Sequence, residues 1–480
     1  MNFRLVCISL LFCSSVCKSQ IKDGGFELAN SDSQKEWIFK KKNGYEINMD
    51  SLQKKSGEFS LSIIGNPQTE KESQSFFQSI PYHPNNIEKI RISAFVKSEN
   101  AKGVIQLWTQ IRNKNDEMID FGNSVNQNKR ITVNQDWNEC FLEFFVDENT
   151  EKILVGGFFD GSGNVWFDDF EVRKIQFSNE PASEIAEKYI TDFKTIIRKN
   201  SLFTNKINWE KTEQVLSNIS KGMKTIEDTE PAIQYLLQVL KKSGDNHSFI
   251  ESKDHFASRK ISNTKNTEPK HELLNSHVGY VMVPGFNSSN TEVGNRFSED
   301  ILNGIIKLDR ENKIKGWIVD LRQNTGGNMY PMLFGLQSLT GTGILGYFVK
   351  NDGTKVPWKF KKGKVGKYTL SKTYDLKKTK SKIAILIGSK TASAGEATAI
   401  SFIGKKNVKL FGQPSRGLTT GNRVYPLADG RALALSSSCE MDRTGKKYDD
   451  KIIPDIIVEE DKKSNPDLTI QAAIKWLEEK

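Results

Sequence analysis

Residues 382–396 constrain this chain more than any other stretch. Ile383 to Ile387 is a short apolar run rich in β-branched residues, the mark of a strand buried on both faces. A turn of small residues follows, Gly388-Ser389-Lys390-Thr391-Ala392. Ser393-Ala394-Gly395-Glu396 then opens an amphipathic stretch, Ala397 to Ile403, with helical spacing. Ser393 therefore sits where a buried strand hands over to a helix, beside helix N–H groups that suit an oxyanion. The same four residues also read as Ser-x-x-Glu, a capping box with no chemistry of its own. The rest of the chain decides between the two.

Three further segments surround this one. Val278 to Val283 reads as a strand, Thr291 to Glu311 as a helix, and Gly316 to Leu321 as a second buried strand. Strand, helix, strand implies a parallel α/β sheet, whose ligands bind beyond the C-terminal strand ends. Asp320-Leu321-Arg322-Gln323-Asn324-Thr325-Gly326-Gly327-Asn328 lies at one such end and Ser393 at another. The paired glycines admit a close approach of backbone N–H groups to a substrate. A phosphate loop would need Gly-x-x-x-x-Gly-Lys-Ser/Thr, which is absent here.

Before this core, residues 180–265 show helical periodicity at Ile185–Ile197 and from Trp209 to Met223. A third helix begins near Pro231. Three helices predict a small bundle. It ends on Gly244-Asp245-Asn246-His247, a tight turn running into an apolar stretch. Of the five histidines, only His247 is placed where a turn would hold it rigidly. Lys253 to Asn275 is polar and too short for another domain.

Residues 21–176 are different. Short alternating runs at 60–64, 89–96, 103–111, 137–145, 153–159 and 165–172 are separated by turn residues, a β-sandwich pattern. Asp23-Gly24-Gly25-Phe26-Glu27, Ser56-Gly57-Glu58-Phe59-Ser60-Leu61 and Asn164 to Val172 resemble the jelly-roll modules found beside carbohydrate-active enzymes. That resemblance implies a structural calcium, with Glu27 and Asp169 as ligands; the other reading is that Asp168 and Asp169 only end a strand. It also implies carbohydrate binding on exposed aromatics, for which Trp37, Tyr45, Trp108 and Phe159 are the candidates. The alternative is that these rings are core.

At the N-terminus, Arg4 followed by the apolar run Leu5 to Cys17 reads as a signal peptide over residues 1–20, cut near Ser19 or Gln20. The run is too short to span a bilayer. Ser15-Val16-Cys17 is a loose lipoprotein box. An exported chain is expected: periplasmic, outer-membrane-associated or extracellular. Cys140 and Cys439 are the only cysteines after the leader, too few for a disulfide framework or a thiolate zinc site. The net charge of +10 is spread thinly, with no dense basic block. No nucleic-acid partner is expected.

The C-terminal motifs carry a second resemblance. Asp320 to Asn328, Thr391 to Glu396, Phe411-Gly412-Gln413-Pro414-Ser415-Arg416-Gly417 and Ile453-Pro454-Asp455-Ile456 resemble the tail-specific (C-terminal processing) serine peptidases, family S41. The resemblance implies Ser393 as nucleophile and the N–H groups of Gly326 and Ala394 as oxyanion hole. It departs from the processing branch in two ways. Gly417-Leu418-Thr419 stands where that branch has Gly-Lys-Gly with its general-base lysine, and no PDZ domain fits between His247 and Val278. Both departures resemble the tricorn-core branch. There a histidine in a Gly-Asp-x-His turn is the base, here His247, oriented by an acid, here Asp449 with Asp450 and Glu440 as alternates.

The expected architecture is thus multidomain. A signal peptide (1–20) precedes an all-β jelly-roll sandwich (21–176), a helical subdomain (180–265), and an α/β peptidase core of the tail-specific, ClpP/crotonase-like type (277–480). The implied activity is peptide-bond hydrolysis through an acyl-enzyme, on peptides or unfolded proteins bound as extended strands, with no cofactor required. A non-catalytic ligand- or carbohydrate-binding protein on the same scaffold is the rival reading.

Overall fold

The structure is a computed structural model that describes residues 21–28, 36–40, 42–66, 73–125, 127, 129–259, 267–459 and 467–479. The expected leader, with Cys17, lies outside the described residues. The chain divides into two compact units, Met1–Ile190 with Trp209–Lys242, and Thr191–Asn208 with Ser243–Lys480.

The first unit is β-rich. Its strands are β1 (Ile38–Lys40), β2 (Tyr45–Asp50), β3 (Ser60–Gly65), β4 (Gln74–Pro81), β5 (Glu88–Arg112), β6 (Met118–Asn123), β7 (Asn138–Val146) and β8 (Lys152–Ile175). Every pairing among them is antiparallel. Four of the runs expected as separate strands prove to be the halves of β5 and β8. Asn100-Ala101-Lys102 and Gly161-Ser162-Gly163 do not reverse the chain. They form an irregularity, with Lys102 opposite Ser162, and the ladder resumes beyond it. β5 thereby pairs with β7 in its first half and β6 in its second.

The core of this unit is aromatic: Phe26, Trp37, Phe76, Phe159 and Phe167 are fully buried. Trp37 and Phe159 are therefore packing residues and not exposed sugar platforms, because alternate strand residues point inward. Trp37 Nε1 donates to the Asp23 carbonyl at 3.0 Å. Both carboxylates expected to hold a calcium take part in hydrogen bonds. Glu27 Oε2 accepts the Glu58 N–H at 2.8 Å, and Asp169 Oδ1 accepts the Ser56 hydroxyl at 2.8 Å. Among the described residues no group of three or more acidic, His or Cys side chains is arranged to hold a metal.

Residues 180–265 do not form a bundle of their own. Helices Trp209–Ile219 and Glu230–Lys242 belong to the β-rich unit, and the boundary between the units falls within helix Glu184–Asn200. Helix Glu230–Lys242 packs on the sheet, where Tyr235 meets Phe145 edge-on at 6.4 Å. Gln238 Nε2 donates to Asp120, and Lys242 pairs with Asp147.

The second unit holds two sheets. The following strands are β9 (Phe249–Glu251), β10 (Lys270–Leu274), β11 (Val278–Met282), β12 (Gly316–Asp320), β13 (Gly343–Lys350), β14 (Lys355–Phe360), β15 (Lys364–Val365), β16 (Tyr368–Thr369), β17 (Lys382–Ile387), β18 (Val408–Gly412), β19 (Thr420–Pro426), β20 (Ala432–Asp442), β21 (Lys447–Tyr448) and β22 (Ile456–Ile457). The first sheet runs β10-β11-β12-β17-β18-β22. All its pairs are parallel except β10 with β11.

β17 is central and buried on both faces, as its composition requires. Ile383, Ile385 and Ile387 face one core with Trp317 and Val319; Ala384 and Leu386 face another with Trp476 and Leu477. Helix Thr291–Glu311, read from sequence with these bounds, packs on the first of these cores. The second sheet runs β14-β13-β20-β19, with β9 and β21 also on β20. No sequence pattern announced it. It matters because β9 follows His247 directly, while β19 begins at Thr420.

Candidate active site

β17 ends at Ile387 and the chain turns at once. Thr391 Oγ1 donates to the Leu321 carbonyl at 2.9 Å and accepts the Gly388 N–H at 3.0 Å, tying the turn to the loop after β12. Ala392 N–H adds a bond to the Asn324 carbonyl at 3.0 Å. Ser393 then adopts φ 52°, ψ −120°. For a residue with a Cβ such a backbone costs on the order of 1–3 kcal/mol and persists only where its surroundings enforce it.

Glu396 enforces it. Ser393 and Glu396 face each other as a capping box, and the Ser393 N–H donates to Glu396 Oε2 at 2.8 Å. The reciprocal half is looser: the Ser393 side chain faces the Glu396 N–H without a hydrogen bond of ordinary geometry. Ser393 also lines a cavity of about 600 Å³.

The Glu396 carboxylate is fully buried. It also accepts the Ser415 hydroxyl and the N–H groups of Gly417 and Leu418, the last two at 2.8 Å. Burial pushes its pKa up, and these donors pull against that. They stitch the Ser393 turn to the Ser415–Leu418 loop. Leu418, which occupies the place of the processing branch's lysine, lines the same cavity.

His247 lines this cavity too. Its turn is fixed by Asp245, whose Oδ1 accepts the N–H groups of His247 and Ser248 at 3.0 and 2.9 Å. Oδ2 accepts the Ser248 hydroxyl at 2.6 Å. The imidazole is held differently from expectation. His247 Nδ1 lies 2.8 Å from Thr420 Oγ1. Thr420 Oγ1 lies 3.2 Å from Ser436 Oγ, and Ser436 Oγ donates to Asp245 Oδ1 at 2.8 Å.

With Ser436 donating to Asp245, the Thr420 hydroxyl can donate on to Ser436 and accept from Nδ1–H, the arrangement that leaves Nε2 with its lone pair. Burial lowers the pKa of His247 below the usual imidazole value, with the nearby Asp245 charge opposing.

Asp449 and Asp450 line a second, smaller cavity beside His247, and neither bonds to it. Glu440 is also without a bond to the imidazole. The ring's hydrogen-bond partner is thus a threonine hydroxyl, and the carboxylate of the turn, Asp245, lies two hydroxyls away. Of the two amides expected to receive an oxyanion, one is already bonded. Gly326 N–H is engaged by Asn324 Oδ1 at 3.0 Å. Its neighbour Gly327 (φ 113°) lines the cavity with Ala394, and neither amide is donated elsewhere among the described residues. A Cβ at Gly327 would lie 2.2 Å from the Phe286 carbonyl oxygen, so only glycine fits there.

The model for peptidase family S41 matches residues 277–458. The Nisin-resistance protein of Lactococcus lactis subsp. lactis is 32% identical over 341 residues, covering 68% of this chain and 97% of that protein. Carboxyl-terminal-processing peptidase 2, chloroplastic, of Arabidopsis thaliana is 23% identical over 159 residues, covering 33% of this chain and 27% of that protein. Among solved structures, a lipoprotein from Streptococcus agalactiae aligns at 26% identity with a TM-score of 0.51, covering 62% of this chain and 96% of that one. Its C-terminal unit carries the peptidase domain, and the chain belongs to peptidase family S41.

Proposed function

We propose that this chain is an exported serine peptidase that cuts peptide bonds through an acyl-enzyme, with Ser393 as nucleophile and His247 as general base. The observation that carries the reading is that one cavity is lined both by Ser393, on its strained strand-to-helix turn, and by His247, whose Nδ1 lies against Thr420 Oγ1. Nε2 is then the nitrogen left to act as base. No hydrogen bond between the two side chains is present among the described residues; such bonds tighten when substrate is bound.

In the proposed cycle Nε2 takes the Ser393 proton as Oγ attacks the scissile carbonyl. The oxyanion is received by the N–H groups of Ala394 and Gly327, each worth about 3–4 kcal/mol in comparable hydrolases. The imidazolium gives its proton to the leaving amine. Water, deprotonated by Nε2, then hydrolyses the ester. Asp245 stabilises the imidazolium through Ser436 and Thr420. β19 is the terminal strand of its sheet in the order β14-β13-β20-β19, and its first residue is Thr420. A peptide added along that edge would reach the cavity in extended form.

A serine-reactive fluorophosphonate tests the reading. Labelling of the wild type that vanishes in Ser393→Ala is expected, with peptide cleavage falling by roughly four orders of magnitude or more. A wild type that is neither labelled nor active points to a binding protein on this scaffold. The Nisin-resistance relative makes nisin the first compound to test beside a peptide library. The jelly-roll and carbohydrate readings of residues 21–176 rest on sequence likeness, and Tyr45 and Trp108 are the half-buried rings left to serve a sugar. Export follows from the leader and accords with a relative that is a lipoprotein.

A further inference from the structure

Glu440 is an anomaly on the cavity wall. It sits on β20, opposite Phe348 on β13 and Tyr448 on β21, and its own N–H donates to the Thr419 carbonyl at 3.0 Å. It is 2% exposed, and its Oε2 is enclosed without a hydrogen-bond partner. A buried carboxyl in that condition costs several kcal/mol unless something pairs with it. Among the described residues none pairs with it: Tyr448 gives its hydroxyl to Asp442, and the His247 imidazole is turned to Thr420. Arg259 and His255, on the same wall, both lie on Glu251.

A ligand can supply the missing partner, and its chemistry follows from the surroundings. Burial and the Glu396 charge hold the Glu440 pKa well above the usual carboxylate range. An anionic group would be repelled by that same charge. An ammonium or guanidinium would favour the ionised carboxylate, its proton passing to solvent, in surroundings where such pairs are strong. Phe348, Leu418, Val424 and Ala434 line the same cavity and suit the methylene stem of a long cationic side chain.

We propose that Glu440 is the base of a substrate subsite that takes a lysine or arginine side chain of the bound peptide. The proposal rests on the reading of this cavity as the cleft of a peptidase, and it names the class of substrate that cleft prefers.

The test uses the full chain and internally quenched peptides that carry lysine, acetyl-lysine or glutamate at each position around the scissile bond. Lysine over acetyl-lysine in kcat/KM by about tenfold or more is expected at one position, with glutamate worst. In Glu440→Gln and in Glu440→Met that ratio falls to within about twofold, read on protein whose Ser393 still reacts with the fluorophosphonate. Labelled wild type with no lysine preference, or a preference that survives both substitutions, overturns the subsite and leaves the peptidase standing. If the wild type is neither labelled nor active, the peptidase reading fails, and fluorescence anisotropy of the same peptides decides the subsite. Tighter binding of lysine peptides that is lost in both variants supports it, and equal affinities overturn it.

Discussion

Asp245 and Glu396 each lie within three residues of a functional side chain, and each gathers four donors. Asp245 takes the N–H groups of His247 and Ser248 and the hydroxyls of Ser248 and Ser436. Glu396 takes the N–H groups of Ser393, Gly417 and Leu418 and the hydroxyl of Ser415. The two turns part at the functional side chain. From Asp245 the bonding continues through Ser436 and Thr420 to the imidazole. From Glu396 none of it reaches Ser393 Oγ. One turn holds its side chain through bonds. The other holds its backbone in a strained state, with no side-chain cap bond of ordinary geometry. In the proposed mechanism a base needs a fixed tautomer and a nucleophile a lone pair, so the same device would serve opposite ends.

Glu396→Gln strikes this comparison hardest. An amide NH₂ replaces one oxygen that accepts two donors, and donor then faces donor. A loss of about 3 kcal/mol in stability is expected from bonds to a buried charged acceptor. Because Ser393 relaxes from its strained backbone, kcat falls by roughly 10²–10³, comparable to losing an oxyanion donor. Urea unfolding and kcat on the same preparation check both. A variant that is destabilised yet fully active would show that the strain at Ser393 is irrelevant to attack.

Thr420→Val sharpens the other half. Valine keeps the branched shape and removes the oxygen that receives Nδ1–H. A fall in kcat of about 10–10² is expected, with KM little changed, since the tautomer is no longer fixed. Asp449→Asn is expected to change kcat by less than about twofold, because Asp449 makes no bond to the imidazole. Reversed outcomes would restore Asp449 as the orienting acid.

What the sequence disclosed follows from how local each signal is. Helix Thr291–Glu311 and the strands ending at Asp320 and Ile387 carry unbroken periodicity, and the structure keeps them. Ser393 and His247, which line one cavity, could be singled out because each sits at a turn between elements of clear type. Thr420 and Ser436 were not. A serine or threonine in a strand is ordinary, and only the pairing of β19 with β20, with Asn422 opposite Ser436, brings the two hydroxyls together. Nor does sequence say which of the Gly326 and Gly327 amides Asn324 will take. The halves of β5 and β8 were split for a related reason. Asn-Ala-Lys and Gly-Ser-Gly look like reversals, and only the partner strand makes them an irregularity within one ladder.

The smallest expected effect concerns protons. Burial lowers the His247 pKa, and Asp245 opposes the shift. The neutral imidazole is the form the base needs, so the acid limb of kcat/KM is expected below about pH 6.5, the ordinary imidazole value. The unfolded chain binds this proton more readily than the fold does. His247 therefore contributes stability that is present above the unfolded pKa and is lost as pH falls beneath it. Asp245→Asn removes the charge that pulls the pKa up. Its acid limb is expected at lower pH than the wild type's, even though kcat drops with the broken relay. A limb that moves to higher pH would mean that Asp245 is not the charge His247 senses, and the likeness between the two turns would end at their hydrogen-bond counts.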